Sequence, residues 1–242
     1  FLKKFLPEKY LLKKRLDRAL KNNYEDELYL LDKIVNKELE SVDVGVYRGI
    51  YSYKLSKVSK HVNSIEPNPL IFSYLEKNLK KLIKNITLYN FAASNKNTEV
   101  ELKIPIRFET IQNNFEEKYK LGSATIHEQN KLNYEKYEIY KVKTKKLDDL
   151  LVNKKIDFIK IDVEGHEKNV LIGGKTLIKE NKPVMVIEIE ERHTKKPIKE
   201  TINFIKNLNY NCYYLSGNNM INIDKIYPKN PGNNFIFLPK KI

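Results

Sequence analysis

Three features of this chain have the residue types and spacing to do chemistry. Asp43-Val44-Gly45, followed by Gly49, places a carboxylate and two glycines at the end of the β-branched run "SVDV". Asp162, Glu164, His166 and Glu167 put four ionisable side chains within six positions after the apolar run "IDFIKI". Glu66, in "HVNSIEPNP", ends another strand-like run twenty-one residues after Gly45. Glycines after a strand let the backbone turn and approach a ligand closely. Ionisable groups gathered at a strand end are costly unless solvated or used.

The first turn reads G-x-x-x-G, with Tyr47 where a dinucleotide loop carries its second glycine. A diphosphate-bearing cofactor is therefore disfavoured. Glu66 is placed to accept hydrogen bonds from both hydroxyls of a ribose. An adenosine without a diphosphate, beside a glycine turn led by a carboxylate, points to S-adenosylmethionine. Asp43 would then hold its methionine end, through the ammonium or a water. From these two motifs alone, an ordinary strand-loop-helix with incidental acids stays open.

The elements that must position these residues follow from hydrophobic periodicity. Strands are expected at "ESVDVG", "HVNSIEP", "NITLYNFAAS", "IDFIKIDVE" and "PVMVIEIEE". Helices are expected at "YEDELYLLDKIVNKEL", "GIYSYKLSKVS", "PLIFSYLEKNLKKLI", "EKNVLIGGKTLIKEN" and "IKETINFIKNLN". Strands alternating with helices imply βαβ crossovers and a mostly parallel, doubly wound α/β sheet. "TEVELKIPI" and "YEIYKVKTKKL" read as extended, with a polar loop between them. "CYYLS" and "NFIFLP" have no helix between them and predict an antiparallel hairpin at the sheet edge. The expected organisation is an N-terminal helical extension over 1–38 and a Rossmann-like domain over 39–242.

The net charge of +14 invites a nucleic-acid partner. The charge, however, is mostly lysine spread along the chain among asparagines and isoleucines, without a basic tail or zinc-finger spacing, so nucleic acid is disfavoured. No run approaches a membrane span. The lone cysteine, Cys212 in "YNCYYL", permits no internal disulfide and reads as structural; it fits a reducing, cytoplasmic setting. "FLKKFLPEKYLLKKRLDRALK" is too charged for a signal segment and reads as an accessory helix, packed on the domain or on a homodimer partner. What precedes Phe1 is not readable.

Taken together, the stretches resemble the FkbM-type methyltransferase family. The family's D-x-G-A-N-x-G turn falls on Asp43 to Gly49 and its acid motif on Glu66 to Pro69. Its L-D-D-L segment falls on Leu147 to Leu150, its D-x-I-K-I-D-V-E-G-x-E signature on Asp157 to Glu167, and its P-x-x-x-x-E strand on Pro183 to Glu188. The resemblance spans roughly residues 40 to 190 and implies a Rossmann-like class I methyltransferase. The implied reaction moves a methyl group from S-adenosylmethionine to a hydroxyl, leaving S-adenosylhomocysteine. Cofactor-binding positions carry over to Asp43, Gly45, Gly49 and Glu66, then to Asn68, Asn90 and Ala92, with Asp162 beside them. Val46 and Tyr47 depart from the family's Ala-Asn; Tyr47 can still offer its backbone N–H to the cofactor.

Attack by an alcohol needs a base near neutral pH, and histidine is the natural choice. His166 directly follows the signature glycine and is the first candidate. His127, in "LGSATIHEQN", and His193, after "IEIEER", follow it, whereas His61 reads as structural. Asp162 and Glu164 form the expected polar floor. With Glu188 they could also hold a divalent ion, but several oxygen ligands must converge for that, and no metal site is assigned. The expected acceptor is a sugar hydroxyl, nucleotide-activated or glycan-linked, in surface polysaccharide biosynthesis. The rival readings are a methyltransferase of RNA or another macromolecule, and a degenerate Rossmann module that binds without catalysis.

Overall fold

The computed structural model describes residues 7–22, 25–106, 123–126, 136–226 and 232–240. The β-branched runs become strands β1 (Glu40–Val44), β2 (His61–Ile65) and β3 (Ile86–Tyr89). They are followed by β4 (Ala92–Ala93), β5 (Glu99–Pro105), β6 (Tyr137–Lys145), β7 (Ile156–Ile161) and β8 (Val184–Glu188). The C-terminal strands are β9 (Tyr210–Ser216), β10 (Asn219–Asn222) and β11 (Asn234–Pro239). Eight of these form one sheet in the order β10-β9-β11-β8-β7-β1-β2-β3. β1 lies between β2 and β7, parallel to both, so the carboxyl ends of all three open on one edge.

Helices cover both faces of that sheet. α1 (Glu8–Lys21) and α2 (Leu31–Ile34) precede β1. Next come α3 (Ile50–Val58) after β1 and α4 (Pro69–Leu82) after β2. α4 starts sharply because Asn68 Oδ1 accepts the N–H groups of Leu70 and Ile71, and Pro69 occupies the first helical position. Its stripe of Ile71, Leu75 and Leu79 is buried, each worth about 1.5–3 kcal/mol relative to exposure. α1 buries Leu12 and Leu16 against α3 and α4.

Three expectations need correction. "YEDELYLLDKIVNKEL" is not one helix: a single 3-10 turn at Asp26–Tyr29 and the four-residue α2 replace it. "EKNVLIGGKTLIKEN" breaks at its glycine pair into α6 (Glu167–Gly173) and α7 (Lys175–Asn181), after the short α5 (Leu147–Leu150). A side chain at Gly173 would sit 1.9 Å from the Ser94 carbonyl oxygen, and α7 has its own cap in Asp148, which accepts the N–H groups of Thr176 and Leu177. Finally, the "CYYLS" and "NFIFLP" strands do pair antiparallel, but β11 is inserted between β8 and β9. The edge belongs to β10, which forms the outer hairpin with β9. α8 (Glu191–Thr194) and α9 (Ile198–Lys206) connect β8 to β9.

The expected extended pair is an antiparallel ribbon of β5 and β6, and β4 joins β6 in a separate three-stranded sheet. Its apolar side, with Leu102 and Ile104 buried, leans over the carboxyl ends of β1 and β2. Among the described residues no helix is long and apolar enough to cross a membrane.

Candidate active site

A cleft of about 680 Å³ of open space lies over the carboxyl ends of β1, β2 and β7. One part is an apolar slot between Ile65, Pro67 and Ile71 on one side and Leu102 and Ile126 on the other. Its floor is the turn after β1. Gly45 has φ +89°, and a side chain there would lie 1.8 Å from the Asp162 carbonyl oxygen. Only glycine lets β1 and β7 approach this closely. Gly49 has φ +77° and would press on Leu79 if substituted.

Tyr47 is a non-glycine residue at φ +47°, in the position the sequence marked as irregular. Its N–H donates to Glu66 Oε2 at 2.9 Å, and Glu66 Oε1 accepts the Asn68 N–H at 2.8 Å. Burial pushes the Glu66 pKa up to about 7, against those two hydrogen bonds. Tyr47 lines the cleft and is partly exposed, with the Arg48 guanidinium 5.2 Å from its ring centroid.

The opposite wall is Asp162, Val163, Glu164 and His166, after β7. Asp162 Oδ2 is 3.9 Å from the ammonium of Lys160, which is buried in the sheet face and donates to Asn234 Oδ1. Burial would lower the Lys160 pKa, but Asp162, Glu25, Glu188 and Glu27 raise it above its ordinary value, so it stays charged. Glu188, one strand over, is pushed up to about 9 by burial and then by the Asp162 charge and hydrogen bond. His166 Nε2 lies 2.9 Å from Ser94 Oγ and Nδ1 lies 3.2 Å from Asn169 Nδ2. With both ring nitrogens engaged, the imidazole can take a proton only if one partner yields. Glu167 Oε1 accepts the Gly165 N–H, and burial pushes its pKa up to about 7.

Of the residues singled out from sequence, Gly45, Tyr47, Glu66, Ala92, Asp162, Glu164 and His166 line this cleft. Asp43 does not. It is buried below the turn, accepting the Ser52 hydroxyl at 2.5 Å, and burial pushes it up to about 7. Asn68 is a buried helix cap, and the Asn90 amide donates to the carbonyls of Glu66 and Pro67. Both brace the Glu66 segment from outside the cleft. His127 lies outside the described residues. His61, at the opposite end of β2, pairs with Thr87. Among the described residues no three His, Cys, Asp or Glu side chains converge as a metal-ion site.

Lys160 escaped the sequence reading of the site, although a lysine inside the otherwise apolar "IDFIKI" was the available signal. His193, a base candidate from its place after β8, meets Glu164 through the packing of α8 on the loop after β7.

A parallel sheet in this strand order, with an acid closing β2 and a glycine turn after β1, defines a class I methyltransferase dependent on S-adenosylmethionine. The model of the methyltransferase FkbM domain matches residues 43–212, and the chain belongs to that family. No curated protein matches the chain. Among solved structures, methyltransferase FkbM from Methylobacillus flagellatus is similar with a TM-score of 0.54 at 18% identity, covering 84% of this chain. This chain spans only 44% of that longer one. A Streptococcus mutans protein in complex with SAH has a TM-score of 0.51 at 11% identity, with 89% and 96% of the two chains covered. A Staphylococcus aureus protein described as a caffeoyl-CoA O-methyltransferase gives 0.51 at 13% identity, with 96% and 98% covered. At these identities the likeness is one of fold.

The chain's own residues fit the cofactor of its class. The slot is lined by apolar side chains that suit a purine, Glu66 lines it as well, and no diphosphate has to pass Tyr47. Gly45, Tyr47, Glu66 and Ala92 would hold the nucleoside end, with Asp162 near the methionine end.

Proposed function

We propose that this protein is an O-methyltransferase that methylates a hydroxyl of a sugar, nucleotide-activated or glycan-linked, for surface polysaccharide. When bound, S-adenosylmethionine supplies an electrophilic methyl group on sulfur. The observation that carries the reading is the meeting of two unlike walls. A nucleoside-shaped slot closed by Glu66 opens directly onto the carboxylates of Asp162 and Glu164 and the imidazole of His166. Two carboxylates can accept from several hydroxyls at once, as a sugar presents them. Holding the acceptor oxygen at about 3 Å from the methyl carbon supplies most of the rate enhancement such a site can give. The cytoplasm suits the single buried thiol of Cys212, pushed up to about 12 by burial.

Calorimetric titration with S-adenosylmethionine, followed by mass-spectrometric screening of nucleotide sugars for a gain of one methyl group, tests the reading. Absence of cofactor binding at millimolar concentration would leave a non-catalytic Rossmann module. Cofactor binding with methyl transfer only to RNA, and binding of RNA that weakens steeply with salt, would replace the sugar by a macromolecule.

A further inference from the structure

The two carboxylates on the β7 wall of the cleft are backed by opposite chemistry. Asp162 sits between a buried ammonium and a neighbouring acid, with Lys160 Nζ 3.9 Å away and Glu188 adjacent in register on β8. Glu164 has an imidazole behind it instead: its Oε2 is 2.9 Å from His193 Nε2. The His193 ring is nearly buried, and Glu190 Oε2 lies 3.5 Å from the same nitrogen. Glu190 is itself held by Arg192 and Asn233. The charged groups facing His193 are therefore Glu164 and Glu167 from the loop after β7, and Glu190 and Arg192 from its own turn.

The backbone fixes this pair in place. Glu164 has φ +52°, a conformation that persists in a non-glycine residue only when its surroundings enforce it. Three contacts do so. Thr125 Oγ1 donates to the Glu164 carbonyl oxygen at 3.0 Å, and Glu167 accepts the Gly165 N–H. Gly165, at φ +103°, lies so close to His193 that a side chain there would come within 2.8 Å of its Cβ. The glycine of the Val-Glu-Gly signature is thus what lets His193 close behind the glutamate.

We propose that Glu164 is the catalytic residue that takes the acceptor's hydroxyl proton, and that His193 is its positioning residue. This rests on the O-methyltransferase reading above. Asp162 faces the fixed charge of Lys160 at 3.9 Å, whereas Glu164 is backed at 2.9 Å by an imidazole that can rearrange its own proton as the carboxylate accepts one. As the acceptor oxygen bonds to the methyl carbon, its proton moves to the Glu164 carboxylate, which becomes the neutral acid. The electron pair of the broken carbon–sulfur bond leaves with the thioether. Asp162, on the same wall, serves the cofactor's positive end.

Two measurements test this, one of which needs no acceptor. In the wild-type protein at neutral pH, the imidazole ¹⁵N resonances of His193 should show Nε2 in a strong hydrogen bond, and E164Q should shift that resonance while Nδ1 moves little. An Nε2 resonance unchanged by E164Q overturns the pairing, whatever the protein methylates. With an acceptor found in the sugar screen, E164Q should lower kcat about 100-fold or more, within the usual range for a lost general base, with cofactor Kd within about twofold. H193Q, which keeps a donor toward Glu164, should retain more kcat than H193A and should move the acid limb of the pH–rate profile. Full turnover in E164Q overturns the base assignment, and an unmoved acid limb in H193Q overturns the role of His193. Loss of cofactor binding in the wild type would instead strike the function on which the proposal rests.

Discussion

The Tyr47 N–H and the Glu66 carboxylate are joined at 2.9 Å, so the turn after β1 and the acid ending β2 form one unit. Glu66 thereby has two tasks: it shapes the turn and presents its remaining lone pairs to the ligand. E66A removes both. It should weaken S-adenosylmethionine binding by roughly 10- to 100-fold, as expected for hydrogen bonds to a charged group, and should also lower thermal stability. Calorimetry and a thermal scan on the same sample check both effects. Unchanged affinity would remove Glu66 from the cofactor site.

Gly45 admits no side chain, because the Asp162 carbonyl oxygen would lie 1.8 Å from it. G45A should destabilise the fold by at least about 2 kcal/mol, the scale of a strained backbone combined with overpacking. It should also abolish cofactor binding, since β1 and β7 must separate. Urea unfolding gives the first quantity and titration the second. A folded G45A protein with normal affinity would contradict the close approach of the two strands.

Asp148 belongs to the family-like Leu-Asp-Asp-Leu segment, yet it caps α7 and does not line the cleft. D148A should cost about 1 kcal/mol, the usual value of an N-cap, and leave cofactor Kd unchanged. A change in affinity larger than the change in stability would show that the segment reaches the site.

Four buried acids set an unusual pH dependence. Burial pushes Asp43, Glu66 and Glu167 up to about 7 and Glu188 to about 9. In the unfolded chain such groups titrate near about 4. The folded protein therefore binds more protons than the unfolded chain between these values, and stability falls as pH rises. The melting temperature of the free protein should drop steadily from pH 5 to pH 9, and E188Q should flatten the portion above pH 7. A melting temperature that rises across this window would mean that these acids are not buried as described.

Much of the site was legible because strand ends are legible. β-branched runs stop where chemistry starts, which put Glu66 and Asp162 on the correct edge. Asp43 was misplaced along the strand: it lies one residue short of the rim, where its carboxylate accepts the Ser52 hydroxyl, while Val44 and Gly45 at the strand end line the cleft. Asn68-Pro69 carried the ordinary signature of a capped helix start, and that local role is the one the geometry displays. The helix breaks at 30 and 174 and the place of β11 depend on contacts with residues far along the chain, to which periodicity is blind.

The position of β11 also sets an order of assembly. Its two neighbours, β8 and β9, have no direct pairing with each other and are bridged only by residues 234–239. During synthesis β9 and β10 can form their local hairpin, but that hairpin has no sheet to join until β11 arrives. The strands of the cofactor edge, by contrast, are β1, β2 and β7, none of which pairs with β9, β10 or β11. Pulse-labelled hydrogen exchange during refolding should protect Val42, Ile65 and Ile159 before Cys212 and Phe237, so that the nucleoside slot takes shape while the far side of the sheet is still open.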